Sequence, residues 1–142
     1  MQCDARLRLL RVKWKKDGSA SHFRDTYTQL LDLAEQLNSC RVLCELEEQP
    51  DISVYDQLWI GSYLIPRLLP LPLERLVICM SSARVYNQQV VESILDAAPA
   101  SFTARCDVQL FTQPLAALQW LTDNSPLLPE VLAEWPYNRF RR

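Results

Sequence analysis

The sequence predicts a single α/β domain: a mostly parallel sheet of four strands, or five, covered by four helices. Three observations carry that prediction. Short apolar runs too brief for helices recur along the chain, segments of helix length carry apolar residues every three or four positions, and the two kinds alternate as β-α-β-α-β-α-β-α. The make-up agrees: 142 residues with 49% hydrophobic and 23% charged side chains describe one ordinary domain. A chain of this length buries roughly 68–70% of the surface its unfolded form exposes, enough to hold a core without disulfides or a metal.

From Leu10 the residues alternate, with Leu10, Val12 and Trp14 facing one way and Arg11, Lys13 and Lys15 the other, as in a half-buried strand whose basic face meets water. Lys16 to Ser19 read as a turn. Phe23, Tyr27, Leu30, Leu31, Ala34 and Leu37 then form one stripe of a helix, with Arg24, Thr28, Asp32 and Glu35 on its solvated side. Val42-Leu43-Cys44 is a strand covered on both faces. The acidic stretch from Glu45 to Asp51 reads as a solvated connection to Ser53-x-x-Asp56, a capping-box-like start for a helix reaching about Leu69. Pro66 should kink or shorten that helix, and Pro70 and Pro72 close it.

Arg75 to Met80 is the next continuous apolar strand. Val90, Val91, Ile94, Leu95 and Ala98 make a third helix ending before Pro99, because the residue ahead of a proline resists helical geometry. Cys106 to Phe111 is the last strand. Thr112 is expected to cap the following helix, with Pro114 in its first turn and Leu115, Leu118, Trp120 and Leu121 as its apolar residues. After Asn124-Ser125-Pro126, residues Leu127 to Trp135 read as a short amphipathic segment, and Tyr137 to Arg142 as a basic end.

Composition excludes several function classes. A net charge of −2 does not favour nonspecific nucleic-acid binding, and two glycines cannot build a glycine-rich phosphate loop. No run approaches the roughly 18 apolar residues of a membrane span, and the start lacks the apolar region of a signal peptide, so a cytoplasmic protein without a membrane span is expected. Five cysteines without a C-x-x-C pair read as reduced, mostly buried thiols. Cys44 and Cys79, central in apolar strands, should be poor nucleophiles. His22 is the only histidine, so a catalytic triad or multi-histidine metal site would have to use it; an exposed, inert role in the first helical turn is expected instead. The acidic run lacks the loop spacing of a cation site. Neither a catalytic residue, nor a metal, nor a cofactor is therefore assigned.

Three stretches carry a resemblance: Tyr55-Asp-Gln-Leu-Trp59 leading to Leu64-Ile-Pro66-Arg67, the strand Arg75 to Cys79, and Phe111-Thr-Gln-Pro-Leu-Ala-Ala-Leu-Gln-Trp-Leu121. They resemble the small STAS-like proteins related to sporulation anti-sigma-factor antagonists, in particular a bacterial branch common in Bacteroidetes, over about residues 6–123. Residues 124–142 are then a C-terminal extension. The resemblance implies a regulatory or interaction domain rather than an enzyme. In antagonist members a serine opening the helix after the central strand is phosphorylated; the corresponding stretch here, Pro50-Asp-Ile-Ser-Val54, departs from their pattern with one serine and no glycine. The branch also has an additional N-terminal strand, of which this chain is expected to hold only part.

Ser53 has two readings, an N-cap whose hydroxyl satisfies a helix N–H and a modification site where phosphate would meet Glu47, Glu48, Asp51 and Asp56. The helix from Val54 to Leu69 carries more apolar circumference than one sheet-facing stripe requires, so the tail, a partner or a small ligand should cover part of it. The expected function is a regulatory or protein-interaction module without enzymatic activity, with a surface including Asp51, Ser53, Asp56, Trp59 and Tyr63. The alternative is a carrier or sensor of a small apolar ligand held between that helix and the sheet. Besides a protein partner, a second copy is considered: residues 1–16 hold six cations against Asp4, and residues 41–56 hold five carboxylates against Arg41, so the two stretches could pair between chains.

Overall fold

The computed structural model describes residues 2–13 and 22–134. Trp14, Lys15, the turn at 16–19, the side chain of His22, Trp135 and the basic end lie outside the described residues. Five strands form one sheet in chain order: β1 (Gln2–Asp4), β2 (Leu9–Lys13), β3 (Arg41–Glu45), β4 (Arg75–Cys79) and β5 (Asp107–Phe111). β1 runs antiparallel to β2, pairing Cys3 with Leu10, and the other four are parallel. β1 is thus a short antiparallel strand at the edge of the sheet.

Neighbouring strands that follow one another in chain order, joined by the usual right-handed crossovers, put every crossover helix on the same face. Helices α1 (His22–Leu37), α2 (Val54–Trp59), α3 (Ile65–Leu68), α4 (Val85–Ala97) and α5 (Ala100–Arg105) all contribute to one core with the even-numbered strand residues Leu10, Val12, Val42, Cys44 and Leu76. The opposite face would be bare. It is covered after the last strand, where α6 (Pro114–Leu121) and α7 (Leu128–Glu134) pack Ala117, Leu118, Leu121, Leu128 and Val131 onto Leu9, Leu43, Val77 and Cys79. The extension therefore enters the core as far as α7, on the face away from α2.

Pro66 does not end the second crossover helix. Between α2 and α3 the chain widens into a π-helical turn, Ile60–Leu64, and helical structure continues to Leu68. The physical reason is local: a proline ring clashes with the carbonyl four residues earlier, and a wider turn moves that carbonyl aside. α4 ends before Pro99, as the sequence predicts, with Ala98 extended; α5 is an element the sequence reading does not contain, and the same proline occupies its N-cap while Phe102 is buried. Thr112 is not the cap of α6. Gln113 holds that position without a side-chain cap bond, and Pro114 in the first turn sets the helical φ.

The basic face of β2 is also corrected. Arg11 is buried, and its Nε and Nη2 donate to both carboxylate oxygens of Glu45 at 3.1 and 3.0 Å. Glu45, expected in a solvated connection, ends β3 as its buried partner. Arg6 donates to Asp4 at 2.7 Å and to Glu130 of α7 at 2.6 Å. Charges proposed to attract a second copy are in these pairs neutralised within one chain.

Candidate functional site

The site is the outer side of the crossover helix between β3 and β4. Its entry is fixed by α4. Asn87, fully buried, accepts the Ile52 N–H at 2.9 Å and donates to the carbonyls of Gln49 and Pro50, each at 3.0 Å. The Tyr86 hydroxyl donates to the Ile52 carbonyl at 3.3 Å, and Gln57 donates to both at 2.9 and 3.0 Å. These bonds hold an otherwise irregular segment in one conformation and so set where α2 begins. Nothing in the sequence marks Asn87, whose role comes from a contact 35 positions away.

Ser53 is the N-cap. Its Oγ accepts the Asp56 N–H at 3.1 Å, and its side chain is exposed beside exposed Asp51. Asp56 does not complete a capping box. It turns inward, is buried, and accepts from Arg24 of α1 at 3.2 Å. Trp59 is half-buried, edge-on to Phe23 at 6.2 Å and stacked on Tyr63 at 5.4 Å. Arg67 donates to the Tyr63 hydroxyl at 3.1 Å and to Asp32 and Glu35 of α1 at 3.1 and 2.9 Å. Of the five residues singled out from sequence, Asp51 and Ser53 lie together on open surface, while Asp56, Trp59 and Tyr63 join the helix to α1.

Tyr63 is also exposed, and three further apolar residues of α2 are more so. Val54, Tyr55 and Leu58 are 66%, 78% and 64% accessible. Between them and α4 runs a groove of about 330 Å³ lined by Val54, Leu58, Ile65, Val90, Ile94 and Ala97. Gly61 also lines it, and a Cβ there would meet nothing within 4 Å, so the missing side chain deepens the groove. The excess of apolar circumference was readable in the sequence; which residues remain outside was not, because that depends on where α1 lies.

Beneath the same helix, on the sheet side, is an apolar cavity of about 100 Å³, walled by Tyr27 and Ala34 of α1, Cys44 of β3, Ile60 and Leu64 of the π-turn, and Val91 of α4, among others. Tyr27 is buried, and its hydroxyl has no hydrogen-bond partner among the described residues. Burial, with the nearby Cys44 and Glu47, pushes that hydroxyl well above its ordinary pKa. Burial likewise pushes the Cys44 thiol up to about 12, and Cys79 is raised by burial and Glu47. All five cysteines are buried, and the raised values of Cys44 and Cys79 make their thiols poor nucleophiles. Among the described residues no group of three or more His, Cys, Asp or Glu is placed to hold a metal ion, and no helix is long and apolar enough to cross a membrane. No family model, curated protein or solved structure matches this chain.

Proposed function

We propose that this protein is a regulatory or protein-interaction module of STAS-like type, without enzymatic activity, working in the cytoplasm and docking a partner on the outer side of α2. One observation carries the reading: Val54, Tyr55 and Leu58 stand exposed in a row beside an apolar groove, and side chains of this kind dominate interface energies when covered. The groove runs between two helices, which suits the apolar face of a partner's amphipathic helix. Ser53 sits at its end, next to Val54. Phosphate on Ser53 would place a dianion beside Asp51 and against the apolar surface, and the repulsion and desolvation would weaken docking.

The test is capture of partners from the host lysate with the wild-type protein, Leu58→Glu and Ser53→Asp, with mass spectrometry of the retained proteins and of the Ser53 peptide. A stoichiometric partner retained by wild type and lost from both variants supports the reading. An identical retained set for all three removes it. A second reading, a carrier or sensor of a small apolar ligand, is supported by the cavity on the inner side of the same helix.

A further inference from the structure

An open sheet has two edges, and the two in this protein are unlike. β1 offers three residues, and the turn after it is closed by the Asp4–Arg6 pair. β5 offers five, Asp-Val-Gln-Leu-Phe, with neither proline nor glycine nor a cation among them and a single charge at its start. Edge strands are commonly blunted by lysine, proline, a bulge or very short length, and β5 carries none of these.

The direction of its backbone groups follows from the parallel register against β4. Asp107 donates its N–H to the Glu74 carbonyl at 2.9 Å, and the Phe111 carbonyl accepts the Met80 N–H at 2.9 Å. Residues 107, 109 and 111 therefore turn their main-chain groups toward β4, and by the alternation of a strand Val108 and Leu110 turn theirs outward. Among the described residues nothing hydrogen-bonds to those two N–H groups or to the two carbonyls. Both side chains are half-buried, so each leaves apolar surface at the rim of the main core.

We propose that β5 pairs antiparallel with β5 of a second copy about a two-fold axis at Gln109, joining the two five-stranded sheets into one. The register is self-complementary. Val108 lies opposite the partner's Leu110 and exchanges both N–H···O bonds with it, and the same pair recurs across the axis, so the outward groups of Val108 and Leu110 in both copies are satisfied. These apolar pairs fall on the face of the main core, and Asp107 lies opposite the partner's Phe111, so no like charges meet. A shift of one residue would set outward groups against inward ones and send the apolar side chains to opposite faces. The pairing is independent of the docking surface on α2, which belongs to the crossover between β3 and β4. The contact is small, so association is expected at roughly 10–100 µM rather than in the nanomolar range.

The test is sedimentation equilibrium of the full chain across that range, with disulfide trapping of Gln109→Cys and Asp107→Cys, both at exposed positions of β5. In this register the two residues 109 form a non-hydrogen-bonded pair with Cα atoms about 4.5 Å apart, within disulfide reach, whereas the two residues 107 are about 14 Å apart and beyond it. The mass should rise from 16.5 kDa toward twice that value with concentration. Under mild oxidation Gln109→Cys should give at least about tenfold more covalent dimer than Asp107→Cys. Wild type, with its five cysteines buried, should give none. A mass of 16.5 kDa throughout overturns the proposal. So does a dimer in which both cysteine variants cross-link equally, or neither does, because the contact then lies in another register or on another surface.

Discussion

The two faces of the sheet are built differently. On the α6–α7 face, Val77, Cys79, Ala117, Leu118, Leu121 and Val131 are all at zero accessibility, and polar side chains tie the layer down. Gln2 of β1 donates to the Val131 carbonyl at 2.9 Å, Thr122 donates to the Leu118 carbonyl at 2.7 Å, and Arg75 donates to the Trp120 carbonyl at 2.8 Å and to Asp123 at 2.7 Å. The other face has more helices, yet it holds a cavity, a tyrosine hydroxyl without a hydrogen-bond partner among the described residues, and the exposed apolar side chains Val54, Tyr55, Leu58, Tyr63, Val85 and Tyr86, against Leu115 and Leu132 on the first face. The α6–α7 layer is thus the more completely packed of the two, and the α1–α4 layer is the one on which the proposed docking surface lies.

The largest expected effect is on the α6–α7 side. Arg11 and Glu45 are a buried bidentate pair whose side chains are 5% and 2% accessible. Arg11→Met should cost about 3–5 kcal/mol, because it leaves the Glu45 charge buried without that partner, whereas Arg11→Met with Glu45→Leu should return close to wild type. Urea unfolding of the single and double variants checks this. A single variant as stable as wild type would show the pair to be peripheral.

Next in size is the same substitution made on each face. Ala117→Leu, in the packed layer, should lower stability by about 1–3 kcal/mol through overpacking. Ala34→Leu points into the cavity, so its added carbons replace void and its unfolding midpoint should hold or rise. Equal losses at the two alanines would erase the distinction between the faces.

A smaller effect comes from the β1–β2 turn. Burial raises the Asp4 carboxyl, but the hydrogen bonds and charge of Arg6, with the N–H groups of Leu7 and Arg6, outweigh it and hold the group below its ordinary 3.8. A depressed carboxylate stabilises the fold fully above its unfolded pKa, and that contribution is lost as pH falls through the folded value. Asp4→Asn should therefore cost on the order of 1–2 kcal/mol at neutral pH. The gap to wild type should close in acid below 3.8. A gap independent of pH would mean that shape, not charge, makes the turn.

Most of the fold was legible in the sequence because it rests on local signals. The short continuous apolar runs at Val42 and Arg75 and the period-3.6 stripes from Phe23 and around Val90 mark strands and helices that the structure contains. What failed depended on distant partners. Arg11 alternates like a solvated residue, and only the parallel register of β2 against β3 brings Glu45 over it. Pro66 has the local chemistry of a breaker, yet a π-turn absorbs it because packing holds both flanking segments. The site was legible in part: Ser53 as a cap follows from its spacing to Asp56, while the cavity and the exposed row of Val54, Tyr55 and Leu58 exist only once α1 and α4 have taken their places.

The smallest effect bears most directly on function, since it separates the two roles open to Ser53. As an N-cap its hydroxyl satisfies one helix N–H, so Ser53→Ala should cost about 1 kcal/mol, while Ser53→Asp, an equally good cap at the positive end of a helix, should cost close to nothing. A switch inverts that order for binding. Ser53→Ala keeps the surface uncharged and should retain a partner, whereas Ser53→Asp adds charge beside Val54 and Asp51 and should release it. The two variants measured for both stability and partner retention thus give opposite rankings if the functional face begins at Ser53. If partner retention simply follows stability, Ser53 is a cap, and the functional face of this protein lies farther along the helix toward Leu58 and the groove.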